Sequence, residues 1–358
     1  MRKIRRIGWV ITDQLETMPW VPRVNTGIGG VALARLHWIA LRINNDPSIP
    51  YSYHVYRPWE RYDGLVFLKS MGPKSESLAN RYLGKKKPVV FDANVNYYHI
   101  EGTEHYLGML PTQAQREDAI RMTRLVSSVI ADSKYIAEQC KSLNYDVVCV
   151  PDNVETDIIP CRRNPGTRYP IRLVWCGEAV KLFELLVIED VLRTHKASYE
   201  LVVVTNDLSA MDRWRGDYKS RVEKLLADVG AKVKPYHNIQ SLFSTYSASD
   251  VVLSPRFLDN SYNNGHTEWK ITLAMACGCV AIVSPVPSYT EVATYGHQHE
   301  VIICDDVVSW DDAFRELIQN GVSEDRRYAA WKIVDQYYSS REMVKKHLEY
   351  FDHLFLSP

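Results

Sequence analysis

One stretch constrains this chain more than any other: Asn263 to Ser284, NNGHTEWKITLAMACGCVAIVS. Its end, Cys279 to Val283, is an unbroken apolar run, the mark of a parallel strand covered on both faces. Upstream, a polar loop ends at Thr267, whose hydroxyl suits a helix N-cap. Ala274 and Ala276 are small enough to let the following helix lie close to a sheet. Cys277-Gly278 supplies a left-handed exit. Loop, short helix, glycine stop and buried strand together predict an α/β fold. The free N–H groups at the helix start, with Lys270 in the first turn, would hold an anion such as a diphosphate. The same geometry also occurs in α/β proteins that bind nothing there.

The rest of the chain extends this pattern. Strands are predicted at Ile4 to Thr12, Leu65 to Lys69, Pro88 to Asn94, Val126 to Asp132 and Val147 to Pro151. A second set is predicted at Ile171 to Cys176, Glu200 to Thr205, Lys232 to Pro235 and Asp250 to Pro255. Helical periodicity appears at Val31 to Ile43, Lys134 to Leu143, Lys181 to Thr194, Arg221 to Val229 and Leu242 to Ser249. A longer pattern runs from Asp325 to Phe355, interrupted near Ser339-Ser340. Residues 158–170 lack periodicity and carry Pro160, Pro165, Gly166 and Pro170, so they read as a linker.

The 358 residues are enough for two domains of ordinary size. The boundaries predicted are 1–157, a linker at 158–170, and 171–334, with the last helix, about 335–358, crossing back onto the first domain. Lysine plus arginine equals aspartate plus glutamate, 43 against 43, which argues against general nucleic-acid binding. Seven dispersed cysteines show no metal-ligand spacing and fit a reducing compartment, so a cytoplasmic location is expected. No stretch reaches the roughly 20 apolar residues of a membrane span. The basic clusters Arg2 to Arg6 and Lys85 to Lys87 suit either peripheral contact with an anionic membrane face or plain solvation.

Candidate ligand-binding residues fall at strand ends, where α/β sheets place ligands. Asp92, Asn94, Tyr97, Tyr98 and His99 follow one strand, and Asp92 is a candidate base or hydroxyl clamp. Gly29 and Gly30 close the loop Asn25 to Gly30 before the first helix. This loop reads in three ways. It is a poor nicotinamide loop, because GIGG is not G-x-G-x-x-G and lies too far from its strand. It otherwise faces a ligand cleft or simply caps the helix.

Lys270 to Pro285, KITLAMACGCVAIVSP, resembles the helix-turn-strand of glycosyltransferases of the GT-B fold, most closely glycosyltransferase family 4 (group 1). SPVPSYTE, Ser284 to Glu291, is similar to the tail that follows it in some of these enzymes. Pro151 to Glu155 resembles the family's I-P-N-G-V-D segment, and Asp250 to Pro255 its A-D-V-x-x-x-P-S strand. The resemblance covers about Pro151 to Glu291 and, more loosely, the first half. It implies two Rossmann-like, doubly wound parallel-sheet domains facing a cleft. It also implies transfer of a sugar from a nucleotide-sugar donor to a glycan, lipid-linked or other cell-envelope acceptor, as in polysaccharide biosynthesis.

Residue by residue, the resemblance implies a diphosphate cradle of Gly177, Lys181, Lys270 and the helix start, with Arg256 as a supplement. The donor sugar would lie against Asn264, Gly265, His266 and Thr267, with Glu268 nearby, and the base near Tyr236. Three positions depart from the family. Its ribose-gripping carboxylate falls at Leu273, its partner carboxylate at Gly265, and its usual arginine at Glu178. No D-x-D pair is present, so neither metal nor other cofactor is expected, and basic groups must neutralise the leaving diphosphate. The resemblance implies retention of anomeric configuration, whereas Asp92 as base would imply inversion. Two other readings stay open: a non-catalytic scaffold or partner of an active transferase, and a sugar-nucleotide epimerase.

Overall fold

The computed structural model describes residues 4–11, 30–159, 169–297 and 299–356. Two six-stranded sheets form, each parallel throughout. The first contains β1 (Arg5–Ile11), β2 (Tyr51–Val55), β3 (Gly64–Leu68), β4 (Val89–Ala93), β5 (Ser128–Ala131) and β6 (Val147–Cys149), in the order β2-β1-β3-β4-β5-β6. The second contains β7 (Ile171–Cys176), β8 (Tyr199–Thr205), β9 (Lys232–Pro235), β10 (Val251–Ser254), β11 (Val280–Val283) and β12 (Val301–Ile303), in the order β12-β11-β10-β7-β8-β9. Both are doubly wound. The winding reverses between β1 and β3 in the first sheet and between β7 and β10 in the second, and a ligand crevice opens at such a switch point.

The apolar runs explain why these strands are interior. β3, β4, β5, β10 and β11 are buried at every residue, as helix-covered parallel strands must be. β2 (YSYHV) and β12 (VII), each only partly buried, escape the strand pattern in the sequence and lie at sheet edges.

The opening helix–strand unit folds as its residues require, with one change. The helix runs Trp269–Ala276, and Gly278 turns the chain at φ 87° into β11. Its N-cap is Glu268, not Thr267, and no side chain caps it. The Thr267 hydroxyl is taken by Asp152 of the first domain instead. A second change follows Gly177. Ala179–Ile188 winds as a 3₁₀ helix before a short α-helix, Glu189–Thr194. The run AVKLFELLVI is almost wholly buried, so packing on all sides overrides the amphipathic α-helix that its spacing predicts. Of the predicted linker, residues 160–168 lie outside the described residues, as does Gly29.

The chain's end ties the domains together. The helix Glu324–Tyr337 packs on Trp269–Ala276, placing Ala330, Ile333 and Val334 in the second domain's core. The chain then bridges Val154 at Ser339, and Ser340–Leu356 lies against β1 and β2. There His347 and Phe351 pack around Trp9 and Tyr53, with ring centroids 5.6–6.3 Å apart. Burial pushes the His347 imidazole down to about 3, so it sits in this cluster as a neutral aromatic.

An arm of the first domain, residues 96–109, reaches into the second. Gly102 bridges Asn260, and Tyr106 bridges Trp214. His105 Nε2 lies 2.9 Å from Asp259 Oδ1, and its ring packs against Phe183 and Phe257. Tyr106 and Met109 are buried in the second domain's core. Gly102 is obligatory, since at φ 92° a Cβ would lie 2.0 Å from the Asp259 carbonyl oxygen.

Candidate functional site

A cleft of about 460 Å³ opens between the two sheets. The second domain contributes Gly177, Glu178 and Lys181, which follow β7, and Tyr262, Gly265, His266, Thr267, Trp269 and Lys270, which follow β10. These are the two strands that flank its switch point. The first domain contributes Lys69 after β3, Asn94 after β4 and Asp152 after β6.

Two cations dominate the second domain's side. Lys270 Nζ is shielded from water, has no hydrogen-bond partner, and lies 4.8 Å from the centroid of the Trp175 ring. Burial, and then the nearby Arg256, push its pKa down to about 7. Lys181 Nζ lies 3.3 Å from His266 Nε2 and 5.4 Å from the Tyr262 ring centroid. Burial opposes the Lys181 charge, but Tyr262 and Glu178 outweigh it and hold its pKa above the ordinary lysine value.

His266 is fixed in one state by its neighbours. Arg256 Nη2 is 3.1 Å from Nε2, so Nε2 faces two cations and must accept. Nδ1 then carries the hydrogen, toward the Thr267 carbonyl 3.4 Å away. Burial and the surrounding cations hold this imidazole well below its ordinary pKa, so it is neutral.

Glycine is required where the walls are closest. A Cβ on Gly265 would lie 2.5 Å from Asn96 Cβ across the interdomain gap, and one on Gly177 would lie 2.9 Å from the Trp175 ring. The Gly265 chain therefore lies directly against the first domain.

The structure thus brings Gly177, Lys181, Gly265, His266, Thr267 and Lys270 to one cleft. Other predicted site residues lie elsewhere. Asp92 is fully buried and bound by Arg35, with Nε–Oδ2 at 3.1 Å and Nη2–Oδ1 at 3.0 Å, so it can neither meet substrate nor exchange protons with it. Arg35 comes from the π-wound turn Leu33–His37 of the first helix, a partner that no spacing in the sequence reveals. Arg256 is also buried, with Nη1 2.8 and 2.7 Å from the Glu184 oxygens, so its charge is balanced behind the cleft wall. Glu268 turns away and is buried near Asp132 and Asp152, whose charges add to burial in raising its pKa well above the usual carboxyl range. Asn264 and Tyr236 do not line the cleft; Val31, which follows Gly30, does. His99 faces Gln139 and Glu101, outside it.

Lys69, Tyr262 and Asp152 line the cleft without having been singled out in the sequence. Lys69 carried a signal, since it follows an apolar strand directly. It adopts φ 52°, uncommon for a non-glycine residue, and burial together with Lys181 lowers its pKa. Tyr262 sits in a four-residue helix too short to show periodicity. Among the described residues no group of three or more His, Cys, Asp or Glu is arranged to hold a metal.

Residues 172–320 match the family model described as glycosyl transferases group 1. The fold is shared with HepE from Anabaena, solved with UDP and glucose, at TM-score 0.66 and 12% identity over 97% of this chain and 99% of that one. Sucrose-phosphate synthase from Thermosynechococcus elongatus aligns at TM-score 0.67 and 13% identity over 99% and 100%. AviGT4, a glycosyltransferase involved in avilamycin A biosynthesis, aligns at 0.61 and 11% over 99% of each chain. Among curated protein sequences none matches. The architecture is therefore that of the GT-B glycosyltransferases. Within that architecture, the stretch that resembles the group 1 glycosyltransferases is residues 172–320, in the second domain.

Proposed function

We propose that this chain transfers a sugar from a nucleotide-sugar donor to a glycan, lipid-linked or other cell-envelope acceptor, without a metal and with retention. One observation carries the reading: Lys181 and Lys270 stand in one cleft at the second sheet's switch point, and Lys270 has no anionic hydrogen-bond partner. A diphosphate there would meet two ammonium groups and the start of the Trp269–Ala276 helix. Charge developing on the leaving group would be stabilised by groups already in position. The solved complexes of HepE with UDP and with UDP-glucose support a nucleoside-diphosphate donor.

The donor sugar would lie along Gly265, His266 and Thr267. Neutral His266, held by Arg256 and Lys181, would act by position rather than by proton transfer. With Asp92 sequestered by Arg35, no protein base is assigned, and the leaving phosphate takes the acceptor proton. That arrangement favours retention over inversion.

Calorimetry and nucleotide release with UDP-, GDP-, ADP- and dTDP-sugars test the reading. At least one donor should bind and turn over, and Lys270→Ala should abolish both. A competing reading, a non-catalytic scaffold, is favoured by Leu273, an apolar residue facing the cleft. Failure of every donor to bind would support the scaffold.

A further inference from the structure

Two loops of the first domain come together outside the cleft. One, Tyr56 to Asp63, YRPWERYD, leads from β2 to the start of β3. The other, Arg81 to Lys87, RYLGKKK, ends the helix Pro73–Leu83 and leads to the start of β4. Side chains join them. Lys87 Nζ donates to the Tyr62 carbonyl, and Arg81 Nη2 lies 3.5 Å from the Tyr56 hydroxyl. Tyr56, Tyr62 and Tyr82 are buried together in one core beneath the two loops. Arg61 and Lys85 to Lys87 stand before β3 and β4, whereas the cleft residues Lys69 and Asn94 follow those strands. Each strand has five residues, so roughly 17 Å separates its two ends.

The two loops carry six cations, Arg57, Arg61, Arg81, Lys85, Lys86 and Lys87, against two carboxylates, Glu60 and Asp63. The chain as a whole is balanced, 43 against 43, so the excess is local. Both carboxylates are engaged. Arg6 Nη2 lies 2.6 Å and Arg57 Nη1 3.5 Å from Glu60, and Asp63 accepts the Arg6 backbone N–H. Among the described residues no carboxylate pairs with Arg61, Arg81, Lys85 or Lys86, all of which are exposed. Trp59 stands between Arg57 and Arg61 with 62% of its surface open. At a membrane boundary an indole settles among the headgroups while neighbouring cations meet anionic lipids. A nucleic-acid strand would instead call for several open rings on which successive bases stack. Here Trp59 is open and the three tyrosines are buried. We infer that this face docks on an anionic lipid surface, through Trp59 and the unpaired cations Arg61, Arg81, Lys85 and Lys86. The cleft, at the other ends of β3 and β4, stays clear of that contact.

Co-sedimentation of the full chain with vesicles tests this, using phosphatidylcholine alone and phosphatidylcholine mixed with phosphatidylglycerol. No nucleotide is present, so the outcome is independent of the transferase reading. Binding should require the anionic lipid and be lost at about 1 M salt, where the screening length is about 3 Å. Each cation removed should weaken it about fivefold, so Arg61→Gln, Lys85→Gln and Lys86→Gln together should weaken it on the order of 100-fold. Trp59→Ala should weaken it severalfold and leave the salt dependence in place. Lys224→Gln, at an exposed position on the helix Tyr218–Asp228 of the second domain, should bind as the unaltered chain does. Equal binding to both vesicles, binding to neither, or a triple variant that binds like the unaltered chain overturns the inference. An RNA oligonucleotide or acidic peptide held by this face while anionic vesicles are not would overturn it too.

Discussion

Replacing Lys270 by methionine separates stability from function. The Lys270 ammonium is held in the wall of the cleft, and burial and Arg256 lower its pKa from the ordinary 10.5 to about 7. At about 1.36 kcal/mol per pH unit, this difference sets a ceiling of about 5 kcal/mol on what the charge takes from the folded state. The Trp175 ring returns about 1–2 kcal/mol through cation–π attraction, and water penetration reduces the rest. A net gain of about 2–3 kcal/mol is therefore expected for Lys270→Met at pH 6, or roughly 4–12 °C in the melting temperature of a domain this size. The sign follows from proton binding. Between about pH 7 and 10.5 the unfolded chain holds a proton on this lysine that the folded chain has released, so wild-type stability rises with pH across that window. The advantage of the variant should shrink over the same range and be gone near pH 10.5. Calorimetric melts at pH 6, 8 and 10 measure it, with UDP titration alongside, in which the variant should lose binding. An unchanged or lower melting temperature at pH 6 would refute the claim that Lys270 is an uncompensated cation awaiting an anion.

Other substitutions probe the neighbouring features. Asp92→Asn leaves buried Arg35 poorly balanced and should destabilise the fold by about 3 kcal/mol in denaturant titrations, with donor affinity of the folded protein retained; lost affinity without lost stability would return Asp92 to the site. Gly265→Ala drives a methyl group against Asn96 and should part the domains, seen as a larger radius of gyration in solution scattering and at least tenfold weaker nucleotide binding; an unchanged radius and affinity would show that the gap yields freely. Burial, Asp152 and Asp132 raise the Glu268 pKa, so its contribution to stability is full below the ordinary carboxyl pKa and is lost as pH rises toward the folded value. Glu268→Gln should therefore raise the melting temperature more at pH 8 than at pH 4, and equal shifts at both would contradict this.

The fold was legible wherever local sequence carries the cause. Apolar runs such as PVVFDAN and DVVLSP mark strands covered on both faces, and the Gly278 turn marks the exit of one helix. Edge strands β2 and β12 were not legible, because half-exposed segments of three to five residues carry little pattern. The site was legible where a residue follows a strand directly, as Gly177 follows β7, and where a motif fixes register, as at Lys270. It was not legible where a role depends on a distant partner. Arg35 and Glu184 turn Asp92 and Arg256 into balanced interior pairs, and these partners lie 57 and 72 residues away. Thr267 illustrates the same limit, since its hydroxyl is claimed by Asp152 from the opposite sheet before it can cap its own helix.

The arm from 96 to 109 changes what opening the cleft would involve. By chain order it belongs to the first lobe, but its anchors, Tyr106 and Met109, sit in the interior of the second. Extracting them would forfeit about 2 kcal/mol each, besides the backbone links at Gly102 and Tyr106. Beyond Tyr98, which stays in the first lobe's core, the arm is mechanically a passenger of the second lobe. A breathing motion would then bend the chain between Tyr98 and Gly102 and where it rejoins the helix Gln113–Leu125, so a segment of one lobe is carried by the other.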